Sequence, residues 1–294
     1  MNFLSGFTAI LGPPNVGKST LLNRILGAKI AIVTPKPQTT RNRILGIYHG
    51  DGFQIVFIDT PGIHRSKTAL HRSMVDSALA SVQEVDLVLL MVEADRYDTH
   101  EVLDIITKLQ EINKSCILAI NKIDILPRKK LLPAIDHLRQ IYPFEAVIPI
   151  SALTGDGVES LLCELKSRLK PGPMFYPEEM KSDQTESFIV SEIVREKIYL
   201  YTRQEIPYSS AVTVNKMEEK QEKKLIYIST TIHTETESQK KVVIGKAGHM
   251  IKTIGKSARE DLERIFGVRI YLDLFVRVEK NWSHDAKALR RLGY

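Results

Sequence analysis

The chain has 294 residues, 43% hydrophobic and 26% charged, with a formal net charge of +6. That length suggests two domains, and the composition excludes a disordered or fibrous chain. The charge divides evenly, +3 on either side of Gly172, so the total says little about partners.

An apolar run, Phe7 to Leu11, reads as a buried strand and leads into Gly12-Pro13-Pro14-Asn15-Val16-Gly17-Lys18-Ser19, which fits the pattern G-x-x-x-x-G-K-S/T. Thr20 to Leu26 follows with helical spacing and stops at Gly27. Such a strand, loop and helix bind phosphate. Gly12 and Gly17 let backbone N–H groups curl around an anion, and the helix aims its positive end at it. Lys18 can reach β- and γ-phosphates, and the Ser19 hydroxyl can ligate Mg²⁺. The N-terminus lacks the basic region of a signal peptide and passes directly into this loop.

Residues 28–43 read as an exposed loop, with prolines and threonines in the stretch Thr34 to Arg41. Strands are predicted at Arg43 to Tyr48 and Phe53 to Ile58, joined by a hairpin at Asp51-Gly52. Asp59-Thr60-Pro61-Gly62 leaves the second strand. Its acid can hold Mg²⁺ through water, and the Gly62 N–H can approach a γ-phosphate. Val85 to Val92 and Ser115 to Ile120 read as central parallel strands. The latter ends in Asn121-Lys122-Ile123-Asp124. A carboxylate at Asp124 can accept from guanine N1–H and N2, donors that adenine lacks there. A strand at Ala146 to Ile150 leads to Ser151-Ala152-Leu153, whose backbone can meet the guanine carbonyl, and Gly157 to Leu169 reads as a closing helix. Strands alternating with helices predict an α/β, doubly wound, mostly parallel sheet with ligands at the strands' carboxyl ends. Cys116 and Cys163 lack metal-ligand spacing and read as buried, reduced thiols of a cytoplasmic protein.

Over roughly the first 170 residues, the ordered set G-x-P-N-V-G-K-S, T-T-R, D-T-P-G, N-K-I-D and S-A-L resembles the translation-factor-related branch of small GTPases. The resemblance implies GTP and GDP as ligands, held by residues 12–20, Asp59 to Ile63, Asn121, Lys122, Asp124 and Ser151 to Leu153. It implies Mg²⁺ on Ser19, Asp59 and a threonine of the 34–41 segment. Thr40 is the expected ligand, with Thr39 left open. Lys18, Thr40, Gly62 and Asn15 are the expected catalytic set. Ras-type enzymes carry a water-orienting glutamine where this chain has Ile63, so slow intrinsic hydrolysis is expected. In relatives with the loop asparagine, that residue helps to hold K⁺. Asn15 matches it, and a purely loop-stabilising role stays open.

Lys170 to Pro177 is proline-rich and reads as a semi-rigid linker. The domain boundaries expected are 1–172, a linker at 173–184, and 185–294. In the second half, Phe188 to Tyr201 has near-helical spacing. Ser210 to Val214 and Leu225 to Thr231 read as strands, with Glu218 to Lys224 as a charged hairpin tip. Val243 to Ile254 reads V-I-G-K-A-G-H-M-I-K-T-I. Between Ser238 and Arg259 there are six basic residues and no acid, a concentrated positive surface. Gly245 and Gly248 bring backbone close to a nucleic-acid chain, with Lys246, Ala247, His249, Ile251 and Lys252 around them. Ile251 and Ile254 share a helical face, as core or as the floor of a base-binding groove, core packing being the expected role. Arg269 to Val278 alternates as a final strand, and the tail adds Trp282 and four basic residues.

This second half matches the signature and element order of a bacterial-type (type II, α+β) K-homology domain. The whole chain, through its ending K-x-W…L-R-x-L-G-Y, resembles the bacterial Era GTPase family. That resemblance implies binding to the 3′ end of small-subunit ribosomal RNA, assistance in assembling the 30S precursor, peripheral inner-membrane association and a monomer. The competing expectation is a membrane-surface signalling GTPase whose C-terminal domain meets protein or anionic lipid. The glycine pair favours RNA, because polybasic attachment needs no glycines.

Overall fold

The computed structural model describes residues 3–36, 39–62, 70, 74, 81–126, 129, 131–220 and 224–294. Two units form. One ends at Asp183, and the other comprises Gln184–Tyr294 with the short segments Ile32–Thr39 and Thr68–Leu70.

The first unit is a seven-stranded sheet in the order β2-β3-β1-β4-β5-β6, with β7 pairing β1. The strands are β1 (Leu4–Leu11), β2 (Ile44–Gly50), β3 (Phe53–Asp59), β4 (Leu87–Glu93), β5 (Cys116–Asn121), β6 (Ala146–Pro149) and β7 (Lys170–Pro171). Only the β2–β3 and β1–β7 pairs are antiparallel. β3 and β5 are buried along their whole length, because layers cover both sheet faces. Helices α1 (Lys18–Leu26), α2 (His100–Ile112), α3 (Leu131–Ile141) and α4 (Val158–Lys166) supply apolar stripes. Val102, Ile105, Ile106 and Leu109 of α2 join strand residues in one core.

Register places the functional ends side by side. Ile10 pairs with Asp59 across β1 and β3, and Glu93 pairs with Asn121 across β4 and β5. The loops after β1, β3 and β5 therefore leave one edge of the sheet together.

Several expectations change. β4 starts at Leu87, and Asp86 lies before it, its Oδ2 accepting the Phe7 N–H at 2.8 Å. Lys170–Pro171 is a short strand, not linker, pairing with Leu4 and Ser5. The stretch beyond it stays unhelical and tied to the first unit: Gln54 Oε1 accepts from Phe175 and Tyr176, and Lys181 O accepts the Ile47 N–H. Cys116 is buried as expected, but Cys163 is exposed on the outer side of α4. Thr40 and Arg41, read as part of an exposed loop, are buried, at 8% and 5% exposure.

The second unit has a three-stranded sheet in the order β10-β9-β8, made of β8 (Ala211–Lys220), β9 (Leu225–Thr234) and β10 (Arg269–Val278). β8–β9 is antiparallel and β9–β10 parallel. β8 runs to Lys220, so Glu218 to Lys220 belong to strand, not to a hairpin tip. Helices α5 (Glu186–Tyr201), α6 (Glu237–Ile244) and α7 (His249–Phe266) flank the sheet in sequence. Their residues Val190, Val194, Val243, Ile254 and Leu262 share a core with Ile228 and Ile232. Thr185 caps α5 by accepting the Phe188 N–H, and Thr236 with Gln239 forms a capping box on α6. After β10, Trp282 is fully buried; its Nε1–H donates to Ser209 O at 3.1 Å and its ring stacks on Tyr294. The short helix α8 (Ala286–Arg291) closes the chain.

Candidate nucleotide site and nucleic-acid interface

At the carboxyl edge of the first sheet, the loop of residues 12–17 joins β1 to α1. Gly12 has φ 150°, and a Cβ there would stand 2.5 Å from Met91 O. Gly17 has φ 104°, and a Cβ would stand 2.4 Å from Asn121 Nδ2. Only glycine fits either position. Asn15 is exposed at the loop's tip with φ 62°. Pro13 and Pro14 are half-buried, and Val16 is buried beneath.

Lys18 Nζ donates to Gly12 O at 3.0 Å and Pro13 O at 2.9 Å, so the ammonium is folded back onto its own loop. Burial pulls its pKa down to about 8, with nearby Asp59 opposing. Asp59 is itself wholly buried, and burial pushes its carboxyl up to about 6 against Lys18 and the Ser19 hydrogen bond. The Ser19 hydroxyl donates to Asp59 Oδ2 at 2.6 Å and lies 2.9 Å from Thr40 Oγ1. Thr39 Oγ1 instead meets Thr34 Oγ1 at 2.8 Å and donates to Lys36 O at 2.9 Å. Of the two threonines, Thr40 is the one that stands with Ser19 and Asp59. Asp59 Oδ1 is buried with no hydrogen-bond partner. Thr20 is half-buried in the first turn of α1. Thr60 is buried, its hydroxyl donating to Ile10 O at 2.8 Å. Pro61 and Gly62 are buried, and a Cβ on Gly62 would stand 2.8 Å from Pro14 N. Ile63 lies outside the described residues.

On the other side of the loop, Asn121 Nδ2 donates to Val16 O at 2.7 Å and its Oδ1 accepts the Ala152 N–H at 2.8 Å. One side chain thereby ties the phosphate loop to the Ser151-Ala152-Leu153 turn. Ser151 is buried and its Oγ accepts the Thr154 N–H, while Leu153 is 68% exposed. Lys122, at φ 68°, donates to Glu93 Oε1 at 2.6 Å. Asp124 is exposed and lines a cleft of about 650 Å³ with Ala94, Ile123, Leu126, Leu131, Leu132 and Asp156. Two residues in this region carried no sequence signal. Arg24 reaches the carbonyls of Ala152 and Leu153, and Glu93 fixes Lys122.

In the second unit, Gly245 ends α6 with φ 73° and ψ 172°, Ala247 sits at φ 51° and Gly248 at φ 74°. The loop projects outward, with Lys246, Ala247, His249 and Lys252 exposed. Together with Met250 and Gly245 they line a hollow of about 530 Å³. Beside it runs an open groove of about 310 Å³ between α7 and β10, lined by Ile251, Lys252, Gly255, Lys256, Arg259, Leu272 and Leu274. Ile251 faces this groove and Ile254 is core, so the two isoleucines divide the roles weighed for them. Leu274 packs 3.2 Å from where a Gly255 Cβ would stand, so the missing side chain keeps the groove floor open.

A model of the 50S ribosome-binding GTPase family matches residues 7–122, and a KH domain model matches residues 205–283. GTPase Era of Syntrophus aciditrophicus (strain SB) is 52% identical over 292 residues, covering 99% of this chain and 95% of that protein. The chain belongs to the Era GTPase family. GTPase Era of Geobacter metallireducens is 47% identical, covering 99% of this chain and 98% of the relative. Among solved structures, a single-residue variant of Aquifex aeolicus Era bound to GDP·AlF4⁻ matches at TM-score 0.95 and 39% identity, covering 100% of this chain and 99% of that one. Era in complex with MgGDPNP and nucleotides 1506–1542 of 16S ribosomal RNA matches at TM-score 0.96 and 39% identity, with 99% coverage of both chains. This Era-family GTPase therefore pairs a P-loop GTPase domain with a C-terminal KH domain.

Proposed function

We propose that this Era-family GTPase is a guanine-nucleotide switch that hydrolyses GTP, holds the 3′ end of small-subunit ribosomal RNA on its KH domain, and assists assembly of the 30S precursor. The observation that carries the reading is the oxygen cluster of Ser19, Thr40 and Asp59 beside Lys18, in a chain that also builds the glycine loop of a KH domain. The relative bound to MgGDPNP and 16S RNA holds both ligand classes, which supports it.

The donor set fits Mg²⁺. Its groups are hard oxygens, and the unpartnered Asp59 Oδ1 is an acceptor awaiting a cation-bound water. Ser19, Thr40 and Asp59 would hold the ion, which supplies positive charge against the β- and γ-phosphate oxygens. The chain's own groups do the rest. Lys18, protonated in the main at neutral pH, exchanges two backbone carbonyls for phosphate oxygens. Residues 12–20 offer backbone N–H groups, and the Gly62 N–H and Thr40 meet the γ-phosphate. Asn121 braces the loop while Lys122 and Asp124 take the guanine, with Ser151 to Leu153 around its carbonyl. The isoleucine at position 63 leaves no side chain there to orient water, so basal hydrolysis is slow. Asn15 at the loop tip holds K⁺ as a further positive charge.

The same reading divides the chain at 1–172, 173–184 and 185–294. RNA meets Gly245, Lys246, Ala247, Gly248, His249, Ile251 and Lys252. No helix among the described residues is long and apolar enough to cross a membrane, so the membrane contact in this reading is peripheral. The working molecule is a cytoplasmic monomer with an inner-membrane fraction.

The test is hydrolysis of GTP and of ATP with Mg²⁺, in KCl and in NaCl, alongside binding of an RNA spanning nucleotides 1506–1542 of 16S rRNA. GTP-selective hydrolysis with RNA binding is expected. Failure to hydrolyse GTP overturns the switch, and equal rates in the two salts remove K⁺ from Asn15.

A further inference from the structure

The three-stranded sheet of the KH unit has two faces, and only one carries the helices. Along β10, Ile270, Leu272, Leu274 and Val276 pack toward the core, so Arg269, Tyr271, Asp273, Phe275 and Arg277 point to the other face. Register lays Tyr271 beside Tyr227 and Phe275 beside Thr231 of β9. The rings of Tyr227 and Tyr271 stack at 5.7 Å between centroids and 19° between planes, and Lys220 Nζ sits 5.3 Å from the Tyr227 centroid.

The tail of the chain covers this face at one end only. There His233 bonds Glu279, and Trp282 is sealed beneath Ser209. At the other end Tyr271 is 58% exposed and Phe275 53%. Two large aromatic side chains left open on one strand face are unusual for a surface that meets only water.

The charge around them selects the occupant. Of the acids on this face, Glu218 is paired with Lys216 at 2.7 Å, and Asp273 faces the Tyr227 hydroxyl at 3.4 Å. Lys220, Arg269 and Arg277 form no ion pair with the described residues. Uncommitted cations interleaved with stacked rings fit single-stranded nucleic acid, whose bases stack on aromatic faces while its phosphates take the cations. A second copy of this chain would bring like charges together.

Resting on the RNA-binding reading above, we infer that this open face is a second RNA contact, on the side of the sheet away from the glycine loop. It takes unpaired bases on Tyr271 and Phe275, so that a longer RNA engages both faces of one small domain.

The test compares two probes on the full chain. One is an RNA spanning nucleotides 1506–1542 of 16S rRNA. The other is its 3′ end alone, about ten nucleotides, the scale of one single-strand site. The double variant Tyr271→Ala, Phe275→Ala is expected to bind the short RNA as the unmodified chain does and the long RNA about 5- to 100-fold more weakly. Tyr271→Phe keeps a stacking ring and is expected to keep long-RNA affinity. Lys252→Glu is expected to weaken both probes. An unmodified chain that binds neither RNA defeats the RNA-binding reading itself. A double variant equal to it on both probes defeats this inference and gives the face to a protein partner. Equal loss on both probes would indicate damage to the strand. The pair Lys220→Glu, Arg277→Glu, exposed and clear of the core, then decides: unchanged long-RNA affinity overturns the inference.

Discussion

The Ser19 hydroxyl donates a hydrogen bond to Asp59 Oδ2 at 2.6 Å, while Oδ1 of the same carboxylate is buried without a partner. A half-satisfied buried carboxylate is costly as long as it is ionised. Because burial raises its pKa to about 6, the nucleotide-free fold holds a proton that the unfolded chain releases near 3.8. The associated stability is present below pH 3.8 and is lost as pH rises through 6, by about 3 kcal/mol. Asp59→Asn is therefore expected to raise the melting temperature of nucleotide-free, Mg²⁺-free protein at pH 8, to change it little at pH 4, and to weaken Mg²⁺-dependent GTP binding. Calorimetry at both pH values reads the first two effects, and nucleotide titration with and without Mg²⁺ reads the third.

Asp124 opens onto the cleft beside Ala94 and Ile123, the only carboxylate in the N-K-I-D stretch. Asp124→Asn should lower GTP affinity by about 100-fold or more, through loss of two charge-assisted hydrogen bonds. Xanthosine triphosphate, whose C2 carbonyl accepts from the new amide, should then bind better than GTP. Unaltered GTP affinity would remove Asp124 from the base site.

The two glycines of the KH loop differ. A Cβ at Gly245 would stand 2.6 Å from Met250 Cβ and 2.8 Å from Met250 N, whereas nothing lies within 4 Å of one at Gly248. Gly245→Ala should lower the melting temperature of the KH unit. Gly248→Asp meets only the strain of its positive φ, about 1–2 kcal/mol, and should stay folded. Its anion should reduce RNA affinity at least tenfold while leaving GTP hydrolysis unchanged. RNA binding that survives in a folded Gly248→Asp protein would move the primary site elsewhere.

His233 sits in the tail-covered end of the outer sheet face. Its Nε2 lies 2.9 Å from the Thr213 hydroxyl and its Nδ1 3.0 Å from Glu279 Oε2, an arrangement that suits the neutral tautomer with Nδ1–H donating. Burial first, then Arg277 and Arg291, pull its pKa down to about 4. The unfolded chain takes up a proton near 6.5 that the fold refuses until about 4, so stability is lost as pH falls across that window. With screening allowed for, the loss is about 1–2 kcal/mol. His233→Gln should flatten this part of the pH profile in chemical denaturation, and an equally steep profile in the variant would assign the effect elsewhere.

The nucleotide site was legible because its chemistry demands fixed residues at fixed spacings. Gly12, Gly17, Lys18, Ser19, Asp59 and Asn121 stand together at one sheet edge, as the strand ends implied. Sequence could not choose between Thr39 and Thr40, since adjacent residues differ only in the direction their side chains take. Arg24 and Glu93 carried no signal because each acts through long-range hydrogen bonds, two for Arg24 and one for Glu93, and belongs to no local pattern. The helical pattern around Cys163 set no face for that residue, and its side turned outward. The open face of the KH sheet was hidden for a related reason. Alternation from Arg269 to Val278 announces a strand with two faces, but it does not say whether Tyr271 and Phe275 are covered; the core shared by Ile270, Leu272, Leu274 and Val276 shows which face the helices take.

β10 is the last strand of the sheet, it pairs in parallel with β9 across two intervening helices, and it supplies Leu272 and Leu274 to the groove beside the glycine loop. During synthesis the GTPase unit has all its strands once residue 171 has been made, whereas the groove lacks a wall until residue 274 has joined the sheet. At translation speeds of about 5–20 residues per second, that leaves an interval of about 5–20 s. A nascent chain can thus acquire its nucleotide pocket well before its KH groove, and a transcript truncated before β10 would yield a GTPase unit without that groove.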